Sequence, residues 1–169
     1  MKLLGMCMIL GSCVICGYIY AEKKNERIKT LESFCEMMEL MQGELESRLS
    51  SVPDMVRELM NRVDGPAAVF LASLNKALHL LGEKGLGDIW VDSCAEAFGF
   101  LDEGEKKVFY SLSNVLGKYD VSRQIASLDD CIRQFRQALS REKLDYPQVR
   151  KLSLGVSLSA GVLLTIMLV

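Results

Sequence analysis

Apart from Lys2, every Lys, Arg, Asp and Glu of this chain lies between Glu22 and Lys151. Both ends are therefore bare of charge. Leu3 to Ala21 runs 19 residues without one, as LLGMCMILGSCVICGYIYA. At about 1.5 Å of rise per residue, a helix of that length roughly matches a hydrocarbon core of about 30 Å. Leu152 to Val169 runs 18 uncharged residues, LSLGVSLSAGVLLTIMLV, at the lower limit for a span. These ends predict two transmembrane helices, 3–21 and 152–169, around a central segment of residues 22–151. A buried core helix is the alternative for either. For the first, a cleaved secretory signal is another, and Leu10, Gly11, Ser12, Cys13 loosely resembles a lipoprotein processing site. Cleavage there would leave Val14 to Ile19 as an apolar stretch where a polar tether is expected, which favours an uncleaved anchor.

Basic residues flanking a span stay on the cytoplasmic side. Lys23, Lys24, Arg27 and Lys29 follow the first stretch, and Arg141, Lys143, Arg150 and Lys151 precede the second. The expected topology is a hairpin with both termini outside and residues 22–151 in the cytoplasm. Tyr18 and Tyr20 suit an interfacial aromatic belt. The six cysteines show no secreted-framework spacing, and Cys13 and Cys16, a CxxC within an apolar helix, read as packing rather than redox or metal chemistry. With 20 basic and 22 acidic residues, the chain has no global basic field, and no nucleic-acid partner is expected.

The central segment reads as all-α. Ile28, Leu31, Cys35, Met38, Met41 or Gln42, Leu45 and Leu49 recur at spacings of three and four, predicting a helix to about Ser50. Met37, Met38 and Met41 fit its core stripe or, alternatively, a soft partner-binding strip. Pro53 and Asp54 suit the first turn of a short helix with Met55, Val56, Leu59, Met60 and Val63 on its apolar face. After Asp64-Gly65-Pro66, residues 67–81 predict a core helix facing inward with Val69, Phe70, Leu74, Ala77, Leu78 and Leu81. Residues 82–87 predict a loop; they lack the GK[ST] ending of a phosphate loop. Residues 88–98 follow as a helix, with Ile89, Trp90, Val91, Cys94, Ala97 and Phe98 as buried candidates. Asp102 caps the next helix, and Gly117 stops it. Asp120 caps a last long helix carrying Ile125, Leu128, Ile132, Phe135, Leu139 and Leu144, which Pro147 can kink. The fold expected is a helical bundle of about six helices, the first and last extending into the two spans.

Catalytic chemistry finds little footing. His79 is the single histidine, Glu32, Glu36, Glu39 and Glu44 read as a solvated helix face, and no nucleophile triad, Walker motif, dinucleotide fingerprint or metal spacing assembles. No catalytic residue, cofactor or metal is expected.

Taken in order, KLLGMCMILGSCVICGYIYAE, LESFCEMMELMQGELE, the VP of SVPDMVREL, DGPAAVF, EGEKKVFYSLSNVLGKYD with Gln124 after it, and RKLSLGVSLSAGVLLTIMLV span nearly the whole chain. Together they resemble the stage III sporulation protein AB family of endospore-forming Firmicutes. Leu116, Gly117, Asp120 and Gln124, with Lys151, Leu152, Leu154, Gly155 and Val156, are the most specific. Tyr119, where a small residue is common, and Pro147 depart from the family pattern.

That family is similar to a cytoplasmic helical domain of the inner-membrane platform protein of type II secretion and type IV pilus systems. The resemblance implies a non-enzymatic subunit of the channel between mother cell and forespore, in the mother-cell membrane around the forespore, needed for endospore formation. It implies the secretion-type ATPase stage III sporulation protein AA and other subunits of that complex as partners, and leaves oligomerisation open. It nominates Glu44, Gly117, Asp120 and Gln124 as partner-binding residues; for Gly117 and Asp120, helix stop and cap are the competing roles. A platform subunit of a secretion or pilus apparatus is the runner-up. Such proteins carry two copies of the helical domain where this chain has one.

Overall fold

A computed structural model describes residues 2–48, 51–94 and 98–168. Among these described residues, six α-helices and one 3₁₀ turn follow in order: α1 Lys2–Arg48, α2 Val52–Leu59, α3 Pro66–Ala77, the turn Leu78–Leu80, α4 Leu86–Cys94, α5 Glu103–Leu112 and α6 Val121–Leu168. Among the described residues there is no strand beyond an isolated bridge between Leu81 and Lys84. The all-helical reading and the helix count hold.

The chain divides into two compact units. Unit 1 comprises Met1–Ile28 and Ser140–Val169, and unit 2 comprises Lys29–Leu139. In unit 2 the helices close on a cluster of rings contributed by nearly every element. Phe109 of α5 lies 5.2 Å from Phe34 of α1, 5.2 Å from Phe70 of α3, 5.1 Å from Trp90 of α4 and 5.2 Å from Phe98. Several of these pairs meet edge to face, the arrangement favoured by the ring quadrupole. Met37, Met38 and Met41 are fully buried around them, so the methionine strip is core and not a free surface.

The buried stripes differ from expectation where an apolar residue stands one step off the helical period. On α3 and the turn after it, Ala67, Phe70, Leu71, Leu74 and Leu78 are buried, a stripe at steps of three and four. Val69 falls off that stripe and is exposed, as is Val91 on α4; Leu81 keeps the spacing but follows the end of the 3₁₀ turn in extended backbone (φ −64°, ψ 115°) and is exposed for that reason. Leu86 and Gly87, expected in a loop, already belong to α4. Leu144 is 76% exposed; it lies in unit 1, beyond the core that buries Leu128, Ile132 and Phe135. Pro147 sits inside a continuous α6. The predicted helix end at Ser50 and the buried candidate Ala97 lie outside the described residues.

In unit 1, α1 and α6 are held side by side by Glu142, whose carboxylate accepts from Lys24 Nζ at 2.6 Å and Arg27 Nε at 2.7 Å. The last turn of α1 within this unit thus meets the first turn of α6 within it, so the two helices run antiparallel. Burial alone would raise the Glu142 carboxyl, but its hydrogen bonds to Lys24 and Arg27 and their charges outweigh that and hold it below its ordinary value. Among the described residues, no helix is long and apolar enough to cross a membrane. Most side chains of the predicted spans 3–21 and 152–169 lie outside the described residues.

Candidate partner-binding site

The chain between α5 and α6 must reverse direction within a few residues, and Gly117 makes that possible with a φ of +71°, a region that costs a side-chain-bearing residue about 1 kcal/mol or more. Gln124, only 7% exposed, then ties the turn to the helix behind it. Its Oε1 accepts from the Gly117 N–H at 3.1 Å, and its Nε2 donates to the Tyr119 carbonyl at 2.6 Å. Asp120 caps α6, its carboxylate accepting from the Arg123 N–H at 3.2 Å. The Arg123 guanidinium lies 4.0 Å over the Tyr119 ring, a cation–π contact.

The structure therefore brings three of the four nominated residues, Gly117, Asp120 and Gln124, into one turn. Glu44 belongs to a different arrangement. It follows Met41 by three positions and Met37 by seven, which puts it on the core side of α1 and not among the solvated acids Glu32, Glu36 and Glu39. Only 7% exposed, it accepts from Arg62 Nη1 at 3.1 Å.

Beside the turn lies an open groove of roughly 400 Å³. Its walls are apolar: Val52 and Pro53 opening α2, Leu81 after the 3₁₀ turn, Leu86 opening α4, and Leu116. Ser51, Gly117 and Lys118 complete the rim. A Cβ on Gly117 would come to 3.5 Å from Val52 Cγ2, an ordinary contact, so the backbone turn and not crowding demands glycine there. Sequence reasoning missed Leu81 and Leu86 as partners of this groove. The one available signal was an apolar residue on each side of the polar stretch 82–85.

His79 is exposed, and its ring nitrogen contacts the Lys76 carbonyl oxygen. Among the described residues, no group of three or more His, Cys, Asp or Glu could hold a metal ion. Burial pushes the Cys131 thiol up to about 12 and the Cys94 thiol higher still, so both are poor nucleophiles in the folded chain. Cys13, of the CxxC, has a side chain outside the described residues. What the site offers is an apolar recess with one lysine, Lys118, at its rim.

The family described as Stage III sporulation protein AB matches residues 2–169. A solved structure titled Stage III sporulation protein AB shares the fold with a TM-score of 0.62 at 12% identity, over 72% of this chain and 96% of that one. No curated protein matches.

Proposed function

The chain belongs to the stage III sporulation protein AB family, and from that premise we propose that it is a non-enzymatic, membrane-anchored subunit of the sporulation channel between mother cell and forespore. Unit 2 faces the mother-cell cytoplasm and serves as a platform for the secretion-type ATPase stage III sporulation protein AA and its neighbours in the complex. The observation that carries the platform role is the apolar groove beside the Gly117–Gln124 turn. Gly117 of the nominated residues lies on its rim, and Gln124 holds the turn that carries Gly117. Anchoring is supported by the sequence, in the two uncharged ends and the basic residues that flank them.

A photo-crosslinking amino acid in place of the exposed Lys118 tests this reading in sporulating cells. The expected adduct is with the ATPase, and Leu81→Arg, which fills the groove with a charge, should abolish it. A chain present in the membrane fraction that yields no ATPase adduct would remove the platform role.

A further inference from the structure

The start of α6 breaks a rule that the other helices of unit 2 keep. The positive end of a helix dipole favours an acid in the first turn and disfavours a cation there. α2, α4 and α5 carry Asp54, Asp88 and Glu105, each as the third residue of its helix. Glu105 also closes a capping box, its Oε2 accepting from the Asp102 N–H at 2.8 Å. α6 has the same kind of cap in Asp120, yet its third residue is Arg123. That cation weakens the helix start in which it stands. Arg123 and Lys118, the cation at the groove rim, are both exposed, and among the described residues neither meets a carboxylate side chain. The acids near the groove are mostly engaged. Asp54 accepts from the Ser51 hydroxyl and lies 3.6 Å from Arg57, Asp88 sits at the start of α4, and Asp120 caps α6. Glu83, in the loop between Leu81 and Leu86, remains against the two cations.

We propose that Arg123 is a carboxylate receptor for the occupant of the groove, a protein segment that seats apolar side chains against Val52, Leu81, Leu86 and Leu116 and sets an Asp or Glu beside them on the guanidinium. This rests on the platform reading above and supplies the chemistry of the partner's side. Leu81 is 47% exposed, so the groove holds apolar surface that a partner would remove from water. The Tyr119 ring, 4.0 Å beneath the guanidinium, holds it before any partner arrives, and the N–H groups at its edge are left to donate. A planar fork presented in this way matches a carboxylate with two parallel hydrogen bonds. Apolar contact then gives the complex its area, and the charge pair gives the segment its orientation. Lys118 adds a second positive charge on the same turn. The helix stability forgone at the third position of α6 is thereby accounted for, since an acid there would serve the helix and repel the segment.

The test places a photo-crosslinking amino acid at the exposed Glu83 of the full chain in sporulating cells and reads the captured peptide by mass spectrometry. The peptide should hold an Asp or Glu among apolar residues. Arg123→Glu should cut the adduct about tenfold, the scale of one charge-assisted pair, and Arg133→Glu, further along α6, should leave it unchanged. Because Arg123→Glu restores an acid to the third position, the unfolding temperature of the full chain in detergent should hold or rise. A captured peptide without an acid, or an adduct that survives Arg123→Glu and is abolished by Leu81→Arg, overturns the receptor and leaves the platform standing. An acidic peptide from a protein other than the ATPase keeps the receptor and removes the ATPase from the groove. No adduct at all overturns receptor and platform together. A lower unfolding temperature alongside a lost adduct in Arg123→Glu makes Arg123 a support of the turn and overturns the proposal.

Discussion

Gln124 is the residue on which the turn depends, because each end of its amide meets a backbone group that has turned away from a helix. Replacement by Ala leaves the Gly117 N–H and the Tyr119 carbonyl without that amide, at a cost of about 1–3 kcal/mol. Gly117→Ala should cost about 1–2 kcal/mol through the positive φ alone. Denaturant unfolding of the full chain in detergent, followed by circular dichroism, checks both, and a change below about 0.3 kcal/mol for either would contradict the reading. The sequence pattern identifies Asp120 as a cap because capping is a local device, but α5 already ends at Leu112 with Ser113 as its C-cap, so Gly117 stands in the turn beyond and is not the helix stop it was expected to be. Gln124 carries no local signal, since its role depends on a backbone seven residues back in the chain. Glu44 misleads for a related reason. An acidic residue reads as solvated until its helical position is set against Met37 and Met41, and only the folded chain brings Arg62 to it.

At the scale of elements, the pairing of α1 with α6 in unit 1 is electrostatic at Glu142 and should depend on pH. The folded carboxyl lies below its ordinary value of 4.5. The pair's stabilisation is therefore complete above that value and is lost as pH falls through the folded-state value. Glu142→Gln should mimic the acid form, loosening the pair by about 1–2 kcal/mol at pH 7, between an exposed and a buried ion pair. The wild-type advantage over the variant should vanish at low pH. Amide exchange along residues 20–28 and 140–146 reads both effects, and an advantage that persists unchanged in acid would contradict them. Helix existence is legible because apolar spacing reports it directly. Which apolar residues are buried is less so: Val69 and Val91 stand one step off the stripe of their helices and stay in solvent, and Leu81 keeps the spacing but lies past the end of the helical backbone.

For the whole molecule, the proposal joins an aromatic-centred helical unit to two uncharged ends and makes the result a platform held at a membrane. The order of six helices can be read from caps, prolines and periodicity. The groove cannot, because Val52, Leu81, Leu86 and Leu116 come from four separate stretches of sequence that only the fold assembles. The central claim is that unit 2 faces the mother-cell cytoplasm, where an ATPase can reach it. Its most direct test is the Glu103→Cys substitution, at an exposed position, in a chain whose Cys7, Cys13 and Cys16 are replaced by Ser. The buried Cys35, Cys94 and Cys131 can stay, because burial shields them all and raises the thiols of Cys94 and Cys131 out of the reactive range. With a membrane-impermeant maleimide in sporulating cells, the thiol introduced at position 103 should stay unlabelled until the mother-cell membrane is opened and then react fully. Labelling in intact cells, or from the space between the two membranes, would contradict the account and make unit 2 a part of the channel wall.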